Sequence, residues 1–386
     1  MTSGGAERVV TGRDPRTGQR LDVRLTDAGV AEVRRSVDRS AELPWIAPGL
    51  VDVQVNGYAG NDVNGADASV DGVIAITTAL AASGVTTWVP TVITADEAAI
   101  RNSLEIVERA RRSHPSVAAA IPSVHVEGPF ISPAEGARGV HDPDRIRPLD
   151  VDEVARWCAG GAAPVGILTV SPHDEAAIAA IPAVRALGIA VSIGHTHADA
   201  DLVRAAVDAG ATLSTHLGNG MPSMIPRHPN AIWAQLADDR LTCGLIADGH
   251  HLPADTLEVM LRAKGPRGAF LVSDATALAG MPAGRYRTTV GGEVQLDENG
   301  RLFASETGYL AGAAANLADG LRYVLSATSF SLPDALALVT ENPARGLRGA
   351  RPGLGTLSVA APADVVLLDD RAAVVAVFRG GQEVTE

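Results

Sequence analysis

Cysteine is nearly absent from this chain of 386 residues. Only Cys158 and Cys243 occur, far apart and without partners at metal-ligand spacing, which argues against a disulfide framework and fits a reducing compartment. Both read as small buried apolar residues. Runs of positive charge are missing too. At a formal net charge of −13 with no Lys/Arg cluster, the chain is a poor binder of nucleic acid or anionic membrane, and any anionic substrate must meet a local positive pocket. No apolar stretch is long enough to span a bilayer, and Met1–Arg8 has no apolar leader, so a soluble, cytoplasmic protein is expected. Two signatures are also lacking. No Gly-x-Gly-x-x-Gly turn follows the first apolar run, which counts against a doubly wound sheet, and no Gly-x-Ser-x-Gly elbow or Cys/His pair occurs, which disfavours a covalent hydrolase.

What is present is core material, 46% hydrophobic residues, enough for one large α/β domain and a smaller companion. Apolar runs near 50–55, 86–90, 122–126, 165–169, 189–193, 212–215, 243–247 and 269–273 read as eight buried strands. Helical signals alternate with them: capping-box spacing at Thr94–Glu97, an opening at Pro253–Leu257, and Ala-rich stretches at 171–187 and 198–209. Eight strands with intervening helices predict a (β/α)8 TIM-type barrel over 49–349. Gly291-Gly292 and Asp297–Gly300 mark a hairpin insertion after the eighth strand. The polar, strand-forming ends, 1–48 and 350–386, predict one small β-sandwich domain, since neither can bury a face alone.

Metal-capable side chains recur just past these strand-like runs: Glu127 in His-Val-Glu-Gly-Pro-Phe, His195 in Ser-Ile-Gly-His and His216 in Ser-Thr-His. One carboxylate and two imidazoles make the three-ligand set of a catalytic metal site with an open position. Any one of them alone is more often a structural residue. Asp274 follows the eighth run, either as a general base for the attacking water or as a cap for Ala275–Leu278. Period-two geometry puts Asp52, Gln54 and Asn56 on one face, and neutral amides are poor zinc ligands, so a second strong metal site is not suggested. His125 shares Glu127's face, as a further site group or as a satisfied core histidine. The Gly-rich turn Leu217–Met221 offers backbone N–H groups to an anion, Arg227 and His228 follow it, and His250 or His251 ends the seventh run. A polar loop, Ser132–Pro143, is long enough for a lid and carries His141. His114, His173 and His197 are left as surface or structural residues.

These motifs together resemble the amidohydrolase superfamily and, within it, the N-acetylglucosamine-6-phosphate deacetylase family. The entry Ala47–Asp52 and the return strand Ala363–Leu367 are superfamily-specific. Val53–Gly57, where the usual His-x-His is replaced, is more discriminating, as are His125–Phe130, the segment from Thr215 to Pro222, and Ser273–Thr276. The resemblance runs from about Pro48 to Asp369. It implies metal ligation by Glu127, His195 and His216, with Asp274 as acid/base and His141 assisting at the carbonyl. It implies substrate contacts from Val140, His141, Asn219, Gly220, His251 and Leu310-Ala311-Gly312-Ala313. Arg227 resembles a phosphate-contacting arginine donated by the neighbouring subunit, which implies a homodimer. The implied reaction is metal-dependent release of acetate from an N-acetylated amino-sugar phosphate, in amino-sugar catabolism, with zinc first among ions and iron, cobalt or manganese also fitting. A galactosamine isomer or a cyclic amide is the alternative substrate. A non-enzymatic scaffold is disfavoured because all four site positions are intact. Gly220 stands where an Ala is frequent, a mild change, and the lid at Glu135–Arg138 departs furthest from the family.

Overall fold

The computed structural model describes residues 7–38, 41–289 and 291–385; residues 1–6, where the absence of a leader was read, lie outside the described part. All eight expected strands form. We number them β1 (Leu50–Val55), β2 (Val85–Ile93), β3 (Val124–Glu127), β4 (Val165–Val170), β5 (Ala190–Ile193), β6 (Leu213–Ser214), β7 (Thr242–Ile246) and β8 (Ala269–Val272). They run in sequence order as one parallel sheet. Closure comes just beyond β8: Ala275 bridges Val55, Asn56 N donates to Ala275 O at 2.8 Å, and Asp274 N donates to Gln54 O at 3.0 Å. The backbone of Asp274 therefore belongs to the barrel seam.

The sequence reads as near-continuous apolar runs because the strands are buried on both faces, by helices outside and by lumen side chains inside. Val51, Val53, Val89, Ile167, Ile246, Phe270 and Val272 form the apolar lumen layer. Above it the lumen turns polar. His125 Nε2 meets Thr169 Oγ1 at 2.7 Å, and Thr169 Oγ1 meets Thr215 Oγ1 at 2.6 Å, which in turn meets Ser192 Oγ at 2.6 Å. His125 is thus a core histidine held by hydroxyls, and burial pushes its pKa down to about 4.

The Ala-rich stretches fold as helices Glu175–Ala186 and Ala200–Asp208, capped by Asp174 and Asp199. The expected capping box at Thr94 does not form. Asp96 caps helix Glu97–Ser113 instead, accepting from Ala99 N, and Thr94 turns inward. Nor does Asp274 cap a helix, since Ala275 is a bridge residue and no helix follows. Cys243 is buried as expected, but Cys158 is exposed, as the last residue of helix Val151–Cys158, whose inward positions are Glu153, Val154 and Trp157.

The termini share one seven-stranded sheet. Strand Trp45–Pro48 pairs with Val365–Leu368 on one side and touches Arg8–Arg13 through the single pair Arg13/Trp45 on the other. That weak joint lets the sheet curl, and Val10, Val23, Ile46, Val365 and Phe378 from its two parts pack in one cluster. The sandwich is therefore a continuous sheet closed over its own core. The insertion is a three-stranded antiparallel sheet of Gly284–Thr288, Gly292–Leu296 and Leu302–Ala304.

Candidate active site

Glu127 is the last residue of β3, His195 lies two residues past β5, His216 two past β6, and Asp274 two past β8. Parallel strands place all four at one mouth of the barrel. The last three share a feature no propensity reveals: φ is +45° at His195, +30° at His216 and +51° at Asp274. Left-handed backbone costs a side-chain-bearing residue about 1–3 kcal/mol and clusters where geometry serves chemistry.

Glu127 Oε1 lies 2.9 Å from His216 Nε2 and 3.2 Å from His195 Nε2, and the two nitrogens are 3.1 Å apart. A cation roughly 2.0–2.2 Å from each donor, with angles of roughly 90–109° between them, would separate neighbouring donors by roughly 2.8–3.6 Å, so this triangle fits a divalent ion. The tautomer agrees. His195 Nδ1 gives its proton to Ala137 O at 2.9 Å, which leaves Nε2 a bare lone pair. A ligand atom of His141 also lies within 4.8 Å of those of Glu127 and His195. Burial pushes the Glu127 carboxyl up, but the His195 and His216 contacts outweigh it and hold it well below the usual range. For His216, burial lowers the pKa, yet the Glu127 hydrogen bond with the charges of Glu127 and Asp274 leaves it raised.

Asp274 is buried, and burial together with the Glu127 charge raises its pKa to about 6. Gln54 Nε2 donates to both Glu127 oxygens, at 3.2 and 3.3 Å, and to Asp274 Oδ1 at 3.1 Å; Asn56 Nδ2 donates to the same Oδ1 at 2.9 Å. Two amides therefore fix one oxygen of Asp274 and leave Oδ2 without a protein partner among the described residues.

These groups line a cavity of about 360 Å³, with Val140, His141, Asn219, Gly220, His251, Leu310 and Gly312 around it. His251 Nδ1 is held by Asp248 Oδ2 at 2.7 Å, whereas His250 turns away to Asn299 O at 3.0 Å. Two expected contacts are not in the lining. Ala311 is buried in the core of the insertion, and Ala313 N donates to Asp274 O at 2.9 Å, so small residues there serve packing and the seam. Arg227 is absent as well: it is exposed on its loop, and among the described residues no Lys or Arg lines this cavity.

Two glycines are dictated by close approach. A Cβ on Gly194 would sit 2.7 Å from Thr215 Cβ, so the turn that presents His195 requires glycine. Gly220, at φ +57°, would bring a Cβ within 2.9 Å of His195 Nδ1. On this backbone an Ala there is not a mild change, because it would press on a ligand ring. Sequence reasoning missed Thr94, Thr276, Tyr309 and Asp248 as site residues. Asp248 alone had a signal, its Asp-x-x-His spacing to His251; Thr94 was hidden by its neighbour's helix.

Residues 45–384 match the family model described as amidohydrolase family. The chain is 35% identical over 366 residues to N-acetylglucosamine-6-phosphate deacetylase of Bos taurus, covering 92% of this chain and 87% of that protein. It is 32% identical over 365 residues to N-acetylgalactosamine-6-phosphate deacetylase of Escherichia coli O157:H7, covering 93% of each. Among solved structures it is similar to a mutant N-acetyl-D-glucosamine-6-phosphate deacetylase of Mycobacterium smegmatis in complex with N-acetyl-D-glucosamine-6-phosphate. That match has a TM-score of 0.88 at 28% identity, over 99% of this chain and 100% of the other.

Proposed function

The chain belongs to the amidohydrolase family, and from that premise we propose that it hydrolyses N-acetyl-D-glucosamine 6-phosphate to D-glucosamine 6-phosphate and acetate, with Asp274 as its proton carrier. The observation that carries the reading is the buried Glu127–His195–His216 triangle beside an acid with one free oxygen. Those three residues would hold one divalent cation, zinc by donor type with iron, cobalt or manganese as fitting substitutes. When bound, the cation polarises the acetyl carbonyl and brings the pKa of water toward about 7.

The chain's own residues do the rest. Asp274 Oδ2 takes a proton from the attacking water and returns it to the leaving nitrogen, while Gln54 and Asn56 keep the carboxylate from rotating. His141 donates to the carbonyl oxygen. Asn219, His251 and the walls at Val140, Gly220, Leu310 and Gly312 hold the sugar. The phosphate finds no lysine or arginine lining the described cavity, so Arg227 of a second copy, exposed on its loop, supplies the missing charge in a homodimer. We take residues 49–349 as the catalytic unit, with 1–48 and 350–386 as its companion, and a cytoplasmic setting suits a sugar-phosphate substrate.

The galactosamine isomer is a second reading, supported by the relative that is 32% identical. Acetate release is to be measured from both sugar phosphates with metal-loaded protein. Wild type should release acetate, and Asp274→Asn should lose roughly 10²–10⁴-fold in kcat with its metal content unchanged. No release from either sugar with any divalent ion would sink the deacetylase reading.

A further inference from the structure

His141 lies on the loop after β3, in the cavity wall, with its ring edge-on to His195 at a centroid separation of 4.4 Å. Its Nδ1 is 2.7 Å from Thr94 Oγ1. Among the described residues, the one other polar atom bonded to that hydroxyl is Glu127 O, which could accept its proton at 3.4 Å. A hydroxyl has one proton to give. Hydrogen bonds from hydroxyls run at about 2.5–3.0 Å, so the first contact is a full bond and the second falls outside the range. A hydroxyl proton given along the shorter contact goes to Nδ1, and a neutral imidazole that accepts at Nδ1 carries its own proton on Nε2.

We propose that Thr94 is a positioning residue for the deacetylation: by donating to His141 Nδ1 it makes Nε2 an N–H donor toward the acetyl carbonyl oxygen, instead of a fourth lone pair beside Glu127 and His195. This rests on the deacetylase reading for its chemistry, though not for the proton's location. The opposite tautomer would leave Nε2 a bare lone pair on a ring packed edge-on against His195, in a residue that already offers a ligand atom near Glu127 and His195, where it would compete for the cation and offer the carbonyl oxygen nothing.

Thr94 is well built for the task. It follows β2 directly, is buried, and has a β-branched side chain with few rotamers. Its hydroxyl is wedged over the turn after Glu127, where even a Cβ on Gly128 would come within 2.2 Å of Oγ1. The residue that aims His141 is thereby seated on the backbone that presents the metal-binding carboxylate.

The test uses metal-loaded wild type, Thr94→Val, which keeps the shape and removes the hydroxyl, and Thr94→Ser, which keeps the hydroxyl. With ¹⁵N-labelled histidine, long-range ¹H–¹⁵N spectra report which nitrogen of His141 is protonated, the signal being assigned by its loss in His141→Gln. Wild type and Thr94→Ser should carry the proton on Nε2, and Thr94→Val should populate the other tautomer. Kinetically, Thr94→Val should lower kcat roughly tenfold to hundredfold, with KM within about twofold and metal content unchanged, and Thr94→Ser should recover most of the loss. An Nδ1–H signal in wild type, or wild-type kcat in Thr94→Val, overturns the proposal. Should Thr94→Val not fold, the wild-type spectrum still decides it, and that spectrum stands even if no acetate is released.

Discussion

Asp52 is an ionisable group that the barrel buries without a cationic partner among the described residues. It is fully inaccessible on β1; Oδ1 accepts from Gln54 N at 3.3 Å and Ser273 N at 3.2 Å, while Oδ2 has no hydrogen-bond partner among the described residues. Burial is the main cause that lifts its pKa from 3.8 to about 7. At about 1.36 kcal/mol per pH unit, ionising it in the fold costs about 4 kcal/mol relative to the unfolded chain. The sign follows from proton binding: the folded state holds the proton that the unfolded state releases above 3.8, so stability falls as pH rises from 3.8 to about 7 and is level beyond. At pH 5 only about 2 kcal/mol of the penalty has been incurred. Asp52→Asn keeps the accepting oxygen and removes the charge, at a cost of about 1–3 kcal/mol for an unpaired NH₂. The variant should therefore gain about 2–3 kcal/mol on wild type between pH 5 and pH 8. The assay is reversible urea unfolding of the pair at both pH values and equal metal loading. A stability gap that does not widen toward pH 8, or that widens toward pH 5, refutes the reasoning.

Gly220→Ala should loosen the metal site, because its Cβ would meet His195 Nδ1 at 2.9 Å and break the Ala137 bond that sets the tautomer. We expect affinity for the divalent ion to fall roughly 10- to 100-fold, read by chelator competition; an unchanged affinity would show that the ring is not so confined. Mixing Arg227→Gln with Asp274→Asn tests the proposal that Arg227 serves the phosphate of a second copy. Each variant alone should be nearly inactive at low substrate, while mixed dimers should regain activity at the one site that receives both intact residues. No regain would place Arg227's charge in its own subunit or outside the reaction.

The sequence made the strands legible because a strand buried on both faces is written as an apolar run, and three of the eight runs led directly into a candidate ligand. β3, β5, β6 and β8 show why this sufficed for Glu127, His195, His216 and Asp274: chain direction alone carries residues at a parallel strand's end to one mouth of a barrel. Thr94 was misread because its spacing to Glu97 mimics a capping box, and a local rule cannot see that Asp96 is a closer cap or that a histidine 47 residues away needs a hydroxyl. Cys158 was misassigned for a related reason. Residue type favours burial, but the helix face that points inward is fixed by Val154 and Trp157. Ala311 and Ala313 were expected against substrate because the resemblance covers Leu310–Ala313 as a block, yet Ala311 turns into the core of the insertion and Ala313 into the seam, while Leu310 and Gly312 line the cavity.

Gln54 and Asn56 bear on how many cations the site suits. Their amide groups point N–H at three carboxylate oxygens, of Glu127 and Asp274. Turning either amide over would set its carbonyl against those oxygens, so the orientation follows from the charges around it. A second ion would need donors at the end of β1, where this chain presents protons. Hydrogen bonds from two neutral side chains thus offset part of the repulsion between the acids that a second cation would otherwise have to offset. They also leave Asp274 an asymmetric group, with Oδ1 fixed and Oδ2 free, which is what a residue that must receive a proton and then release it in one direction requires.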